Sequence, residues 1–106
     1  MKRKEMLKAT EICVCGQREH EYGSPENNFA DIAKLWSIFK GVEFTAHDIG
    51  IMMALLKIAR IKDGQIKDDN YVDGAGYLAC ACEIATKDEV YPYYDEDGDS
   101  GCQGAC

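Results

Sequence analysis

The sequence predicts an all-α fold, a four-to-five-helix bundle. Apolar residues recur at helical spacing in four segments, and capping or turn residues separate those segments. None of the segments alternates apolar and polar residues as a half-buried strand would. A length of 106 residues suffices for one core and is too short for two. We therefore predict one helical domain over residues 1–87, followed by an acidic tail over residues 88–106 that contains Gly and Cys.

The first two helices are predicted from their apolar stripes and from their ends. The first covers about residues 2–15, and Gly16 weakens its continuation. In the second, Ser24 is the predicted N-cap and Pro25 the first helical residue, while Gly41 ends the helix. Its predicted core stripe has helical spacing and comprises Phe29, Ile32, Ala33, Trp36 and Phe39.

Two further helices follow along the chain. Thr45 opens the third, and Asp48 three residues later completes a variant of the capping box. The letters KDG end this helix, and Asp68 or Asp69 caps the fourth. The core stripe predicted for the third helix is Ile49, Met52, Met53 and Leu56, flanked by Leu55 and Ala59. The stripe predicted for the fourth is Tyr71, Val72, Ala75, Leu78 and Cys82.

Composition and charge exclude several classes of protein. No apolar run approaches the about 18 residues that a membrane span needs. The basic start is typical of a signal peptide, but Glu5, Lys8 and Glu11 interrupt it, so we expect a cytoplasmic protein without membrane contact. Most of the net charge of −7 lies in the tail, which has no Lys or Arg. The nearly neutral body lacks the basic surface that duplex binding needs, so nucleic acid is not an expected partner.

The cysteines form three close pairs, Cys13 and Cys15, Cys80 and Cys82, and Cys102 and Cys106. The first two pairs lie in predicted helices with i,i+2 spacing, which points their side chains about 200° apart and prevents chelation of one ion. The last pair alone has the spacing of a zinc pair, and no second pair matches it. We therefore expect reduced thiols rather than a zinc site or disulfides.

Residues 56–77, which read LKIARIKDGQIKDDNYVDGAGY, contain the strongest chemical pattern. Lys57 and Arg60 are i,i+3 neighbours on one helix face, where a point charge and a forked guanidinium suit an oligophosphate. Across the turn, Asp69 and Asp73 are i,i+4 and can share one divalent ion, for which Mg²⁺ or Mn²⁺ is suited. The same four side chains can instead form inter-helix salt bridges, with one aspartate capping the helix. Both interpretations stay open.

The letters REHEYG, residues 18–23, supply a second polar cluster. Arg18 offers a cation to a phosphate group, and Tyr22 offers a flat ring on which a base can stack. Glu19 and Glu21 offer carboxylates to a metal ion. The alternative interpretation is an exposed helix end, which has the same composition.

Four stretches together resemble a family of small phage-encoded proteins of uncharacterised function. They are REHEYGSPENNF (18–29), IAKLW (32–36), MMALLKIAR (52–60) and DNYVDGAGY (69–77), and the resemblance covers about residues 3–85. That family is distantly similar to the all-α nucleoside triphosphate pyrophosphohydrolases of the MazG and dUTPase type. The resemblance implies a MazG-like helical fold, a dimer or tetramer, and magnesium-dependent cleavage of an NTP to NMP and pyrophosphate in the host cytoplasm.

The resemblance also implies roles for particular residues. The E-x-x-D metal motif of the pyrophosphohydrolases falls on the region from Asp69 to Asp73, which here has a spacing of four. Their E-x-x-E motif has no counterpart, because Glu19 and Glu21 are i,i+2. The implied catalytic residues are Asp69, Asp73 and Glu19. The implied metal ligands are the same three residues together with Glu21. The implied phosphate-binding residues are Lys57, Arg60 and Arg18, and the implied base-binding residue is Tyr22.

Two nucleotide functions follow, together with a third possibility. The first is a magnesium-dependent nucleotide pyrophosphohydrolase. The second is a non-catalytic module that sequesters a nucleotide, such as a cyclic signal of host defence, and the missing E-x-x-E motif favours it. The third is an interaction protein whose charges form inter-helix bridges. In each case the apolar faces left by four short helices predict a homo-oligomer.

Overall fold

The computed structural model describes residues 1–17, 20 and 23–86, and the predicted tail lies outside the described residues. A π-helical turn, Cys13–Gln17, continues directly from the first helix. The α-helices in chain order are α1 (Arg3–Ile12), α2 (Pro25–Lys40), α3 (Ala46–Lys62) and α4 (Asp68–Thr86). No strand occurs in the described residues, so the predicted all-α class is confirmed. None of the described helices combines the length and the hydropathy that crossing a bilayer requires.

The ends of α2 and α3 form where capping residues were predicted. The Ser24 hydroxyl accepts a hydrogen bond from the backbone N–H of Asn27 at 3.3 Å, which caps α2. Gly41 ends α2 with φ of 71°, a left-handed conformation that favours glycine. At the start of α3, the Thr45 hydroxyl accepts from the N–H of Asp48 at 3.1 Å. Asp48 Oδ2 accepts in return from the N–H of Thr45 at 2.9 Å, completing the capping box.

The core forms where one face of α2 meets α3 and α4. Phe29, Ala33 and Ile49 are its buried centre. The rings of Phe29 and Tyr77 lie with centroids 6.2 Å apart, and Trp36 makes an edge-on contact with Phe44 at the same centroid distance. Partly buried side chains surround this centre, namely Ile32, Trp36, Phe44, Ala46, Met53, Tyr77, Cys80 and Ile84. Four of the five core residues predicted on α2 therefore belong to the core.

Glycines bring the helices unusually close together. A Cβ atom added to Gly50 on α3 would lie 2.8 Å from the Cβ of Ala81 on α4, closer than two carbon atoms can approach. A Cβ atom added to Gly76 on α4 would lie 2.7 Å from Val14 Cγ1 on the π-helical turn. Gly74 is different, because its added Cβ would meet Lys57 Cβ at an ordinary 3.5 Å. Gly50 and Gly76 thus permit the close packing of α4 against its neighbours.

Several predicted core residues are exposed, and those predictions are wrong. Phe39, the last residue of the α2 stripe, is 85% exposed. The other exposed residues of the predicted stripes and their flanks are Met52, Leu55, Leu56, Ala59, Tyr71, Leu78 and Cys82. The reason is that α3 and α4 pack through small residues such as Gly50, Ala54 and Ala81, which are buried. Because α3 is apolar on both sides, apolar spacing alone could not identify its buried face.

Candidate functional site

The candidate site is centred on a half-buried ion pair between α3 and α4. Lys57 Nζ lies 3.1 Å from Asp73 Oδ2, and the two side chains are 12% and 26% exposed. Gly50 contacts Ala81 near the opposite end of the same interface, so α3 and α4 run antiparallel. Because the pair is largely withdrawn from water, removing either charge would leave the other poorly compensated. The pair therefore holds α3 and α4 together at one level of the bundle.

Asp73 also faces a small cavity to which three separate segments contribute. The cavity has a volume of about 30 Å³, which is enough to hold a water molecule. Its walls come from the π-helical turn, the start of α2 and the middle of α4. The lining residues are Cys13, Val14, Gly23, Pro25, Asn28, Phe29, Asp73, Gly76, Tyr77 and Cys80. The start of α2 and the Asp73 segment, which are far apart in sequence, thus meet at one point.

Arg60 and Asp69 do not join this ion pair. Both side chains are exposed, and neither has an ion-pair partner in the part of the chain that the structure describes. Asp69 lies inside the first turn of α4, which begins at Asp68, so neither aspartate precedes the helix as the predicted cap. The salt-bridge interpretation therefore holds for Lys57 with Asp73 and not for Arg60 with Asp69. Arg60 and Asp69 are thus exposed side chains of opposite charge outside the ion pair.

The described residues alone do not form a complete metal site. No three or more His, Cys, Asp or Glu side chains come close enough to hold a metal ion in residues 1–17, 20 and 23–86. Asp69 and Asp73 lie one helical turn apart on α4 and supply two carboxylates. The other predicted site residues, Arg18, Glu19, Glu21 and Tyr22, lie outside the described residues.

Two residues at this site were assigned no role from the sequence. Asn28 lines the cavity from the first turn of α2, and Tyr77 lines it from α4, one turn beyond Asp73. Both belong to quoted motifs, Asn28 to REHEYGSPENNF and Tyr77 to DNYVDGAGY. The spacing of four between Asp73 and Tyr77 places them on one face of a helix, so this pattern could have identified Tyr77. Only the packing of α2 against α4 could identify Asn28.

A larger cavity of about 280 Å³ lies between α1, α3 and α4. Its lining residues are Met6, Ala54, Lys57, Ile58, Ile61, Asn70, Tyr71, Gly74, Ala75 and Leu78. This lining is mainly apolar, and Lys57 connects it to the ion pair. Asn70 is buried at 5% exposure, and its Nδ2 donates to the backbone carbonyl of Gln65 at 2.7 Å. That hydrogen bond fixes the turn between α3 and α4.

Comparison with known proteins identifies relatives of this chain in phages. The chain is 42% identical to the Gene 55 protein of Mycobacterium phage L5, in a match covering 82% of this chain and 57% of that protein. It is 37% identical to the Gene 55 protein of Mycobacterium phage D29, in a match covering 74% of this chain and 52% of that protein. The chain thus spans little more than half the length of these relatives. No solved structure matches the chain significantly.

A family model agrees with these relatives. The model described as "Domain of unknown function (DUF6378)" matches residues 5–85, close to the range of 3–85 over which the sequence resembles a phage family. The matched residues 5–85 cover most of α1, the π-helical turn, α2, α3 and nearly all of α4. They also include every residue of the candidate site. The chain belongs to the family with the DUF6378 domain, whose relatives described above are phage proteins.

Proposed function

We propose that this chain is a phage protein with a MazG-like helical fold that hydrolyses a nucleoside triphosphate to a monophosphate and pyrophosphate, with magnesium or manganese. The observation that supports this most is the convergence of separate motifs at Asp73. Lys57 pairs with Asp73, and the start of α2 lines the same cavity as Asp73. A carboxylate from α4 and a polar amide from α2 therefore line one small cavity, and a cation from α3 pairs with that carboxylate.

The charges of the ion pair suit a ligand that carries both signs of charge. A metal-bound nucleotide presents a cation and a phosphate chain together, so Asp73 and Lys57 can each exchange their mutual contact for a ligand contact. A carboxylate has two oxygens, which allows Asp73 to accept contacts on both. Arg60 lies one turn from Lys57 and can bind a second phosphate oxygen. Binding would then leave no charge uncompensated at the interface of α3 and α4.

The remaining roles in the proposal come from the sequence. Lys57, Arg60 and Arg18 would neutralise the phosphates, and Tyr22 would stack on the base. Asp69, Asp73, Glu19 and Glu21 would hold the metal. Bound there, a divalent ion would supply charge neutralisation and an acidified water for in-line attack. Because Asp69 and Asp73 are two carboxylates without a third beside them among the described residues, we assign the further metal ligands to Glu19 and Glu21.

A second candidate function is nucleotide binding without chemistry, in which the protein sequesters a nucleotide such as a cyclic signal of host defence. Two observations favour it. Asp73 is already neutralised by Lys57, and no third carboxylate accompanies Asp69 and Asp73 among the described residues. Two aspartates can hold one metal ion and orient phosphates, whereas in-line hydrolysis with two metals needs more ligands.

A turnover and binding screen of the full chain tests both candidates. The purified protein is incubated with magnesium or manganese and with NTPs, dNTPs or cyclic nucleotides. Chromatography measures released monophosphate and pyrophosphate, and thermal unfolding measures binding. We expect pyrophosphate release that Asp73→Ala and Asp69→Ala each reduce by at least about 100-fold. Asp68→Ala is the matched control for Asp69→Ala, because Asp68 is exposed in the same first turn of α4 and has no proposed role.

The outcomes separate the two candidates from the structural alternative. A nucleotide that raises the melting temperature and is recovered intact supports sequestration and excludes hydrolysis. Absence of both turnover and binding with all tested nucleotides means that Lys57 and Asp73 form a structural salt bridge only. Equal loss in Asp73→Ala and Asp68→Ala would also argue against the assigned site. Circular dichroism of each variant tests whether the helices remain folded.

A further inference from the structure

The outer face of α3 carries an exposed apolar stripe. Met52, Leu55, Leu56 and Ala59 are exposed, and Leu55 is 55% exposed. The opposite face of α3 is the one that packs in the bundle, through Ile49, Gly50 and Ala54. A monomer gains nothing from exposing three large apolar side chains on a single helix face, so this stripe marks an interaction surface.

The stripe has the periodicity of a coiled-coil seam. Met52, Leu55 and Ala59 follow one another at spacings of three and four residues. The acidic residue Asp48 lies four residues before Met52, and the basic residue Lys62 lies three residues after Ala59, so both continue the stripe. These two residues lie in the first and the last turn of α3. The surface therefore has an apolar centre and ends of opposite charge.

We propose that this stripe binds the same stripe of a second copy of the chain, with the two α3 helices antiparallel around a two-fold axis near Leu55. In this arrangement Asp48 of one copy approaches Lys62 of the other, and the symmetry repeats the contact at the second end. A parallel pair would instead bring like charges together at both ends. The antiparallel arrangement also opposes the dipoles of the two helices. The proposal is independent of any nucleotide chemistry.

Two other surfaces or segments compete with this assignment. The tail over residues 88–106 carries acids without Lys or Arg, so it cannot neutralise Asp48 at one end of the stripe. A second exposed stripe on α2 includes Leu35, Ile38 and Phe39. Asp31 precedes that stripe on α2, and Lys34 and Lys40 lie beside it, so it too carries charges of both signs. The Ile38→Glu variant below therefore decides between the two stripes.

Sedimentation equilibrium of the full chain over a range of concentrations tests the proposal. One helix pair buries less than a standard protein interface, so we expect a reversible, concentration-dependent dimer with twice the chain mass of 11.8 kDa. Leu55→Glu should give the single-chain mass at every concentration. Ile66→Glu is the matched control, because Ile66 is 73% exposed in the turn after α3 and lies outside the stripe. Circular dichroism verifies that each variant is folded.

A charge exchange tests the antiparallel direction. Lys62→Asp should raise the dimer dissociation constant about tenfold, because it places like charges together at both ends. The double variant Asp48→Lys with Lys62→Asp should restore dissociation to within about threefold of the original. Lys62 also lies 3.6 Å from Asp63, but both side chains are largely exposed, so this contact contributes little.

Three results would overturn the proposal. The first is a monomer at all concentrations. The second is a dimer that survives Leu55→Glu but dissociates with Ile38→Glu, which would place the interface on α2. The third is a double charge variant that dissociates as readily as Lys62→Asp alone, which would exclude the antiparallel contact. Asp48→Lys removes the capping box of α3 in the single and the double variant alike, so the dissociation constants of the two variants are compared only where circular dichroism shows the helix content of the original chain.

Discussion

Lys57 on α3 and Asp73 on α4 form an ion pair of 3.1 Å that is largely withdrawn from water. A double-mutant cycle with Lys57→Ala and Asp73→Ala should measure their coupling in urea unfolding experiments. We expect a coupling free energy of about 1–2 kcal/mol, between the values for exposed and fully buried pairs. The losses in unfolding free energy of the two single variants should add up to more than the loss of the double variant. The reason is that each single variant leaves one charge without a partner.

The exposed pair of Lys8 and Glu11 on α1 provides the control cycle. Their charged atoms lie 3.7 Å apart, and both side chains are about two-thirds exposed. We expect a coupling below about 0.5 kcal/mol for this i,i+3 pair. Equal coupling in the two cycles would mean that burial does not strengthen the contact between Lys57 and Asp73.

Gly50→Ala and Gly74→Ala should change stability in opposite directions, although each replaces a helical glycine with alanine. At Gly50 the new Cβ would approach Ala81 Cβ at 2.8 Å, so α3 and α4 must separate. We expect a net loss of about 1–2 kcal/mol in the free energy of unfolding. At Gly74 the contact of 3.5 Å is ordinary, so the higher helix propensity of alanine should add about 0.5–1 kcal/mol. Thermal and urea unfolding of the two variants would measure both changes, and a gain at Gly50 would contradict the close packing.

Thr45→Ala should remove the hydroxyl that accepts the N–H of Asp48 at the start of α3. We expect a loss of about 1 kcal/mol, since the capping box satisfies donors that have no partner within the helix. Ser24→Ala removes a longer hydrogen bond of 3.3 Å at the start of α2 and should cost less. Urea unfolding at neutral pH would compare the two. A larger loss at Ser24 would show that the cap of α2 is tighter than its distance indicates.

Asn70→Asp should destabilise the turn between α3 and α4. The Asn70 side chain is 5% exposed and donates to the carbonyl of Gln65 at 2.7 Å, and a carboxylate at this position has no N–H to donate. We expect a loss of about 1–3 kcal/mol. Asp69→Asn, the converse exchange at the preceding exposed position, should change stability by less than about 0.5 kcal/mol. Similar losses in both variants would mean that charge in the first turn matters more than this hydrogen bond.

The ends of α2 and α3 could be predicted because capping is a local interaction. Ser24 and Thr45 bond to backbone groups three residues away, and Gly41 adopts its conformation without a distant contact. The core face of α2 could also be predicted from local sequence, because its apolar residues up to Trp36 lie mainly on one side of the helix. The first turn of α4 was less predictable. Several Asp and Asn residues occur together there, and any of them could cap a helix.

The buried faces of α3 and α4 required the tertiary structure. Both helices are apolar around much of their circumference, and contact through Gly50 and Ala81 decides which side faces inward. That contact depends on two backbones approaching closely, which a list of large apolar residues does not reveal. The exposed stripe around Leu55 is a direct consequence, because the apolar residues excluded from the monomer core point outward.

The sequence by itself determined the helical class, the capped ends of α2 and α3, the family, and the residue types available at the candidate site. These depend on local spacing, on hydrogen bonds within one turn, or on similarity along the chain. The tertiary structure alone decided that Lys57 contacts Asp73 while Arg60 and Asp69 stay exposed, and that Asn28 faces the same cavity as Asp73. Such pairings depend on the axial shift and rotation of one helix against another, which the close contacts of the small residues establish.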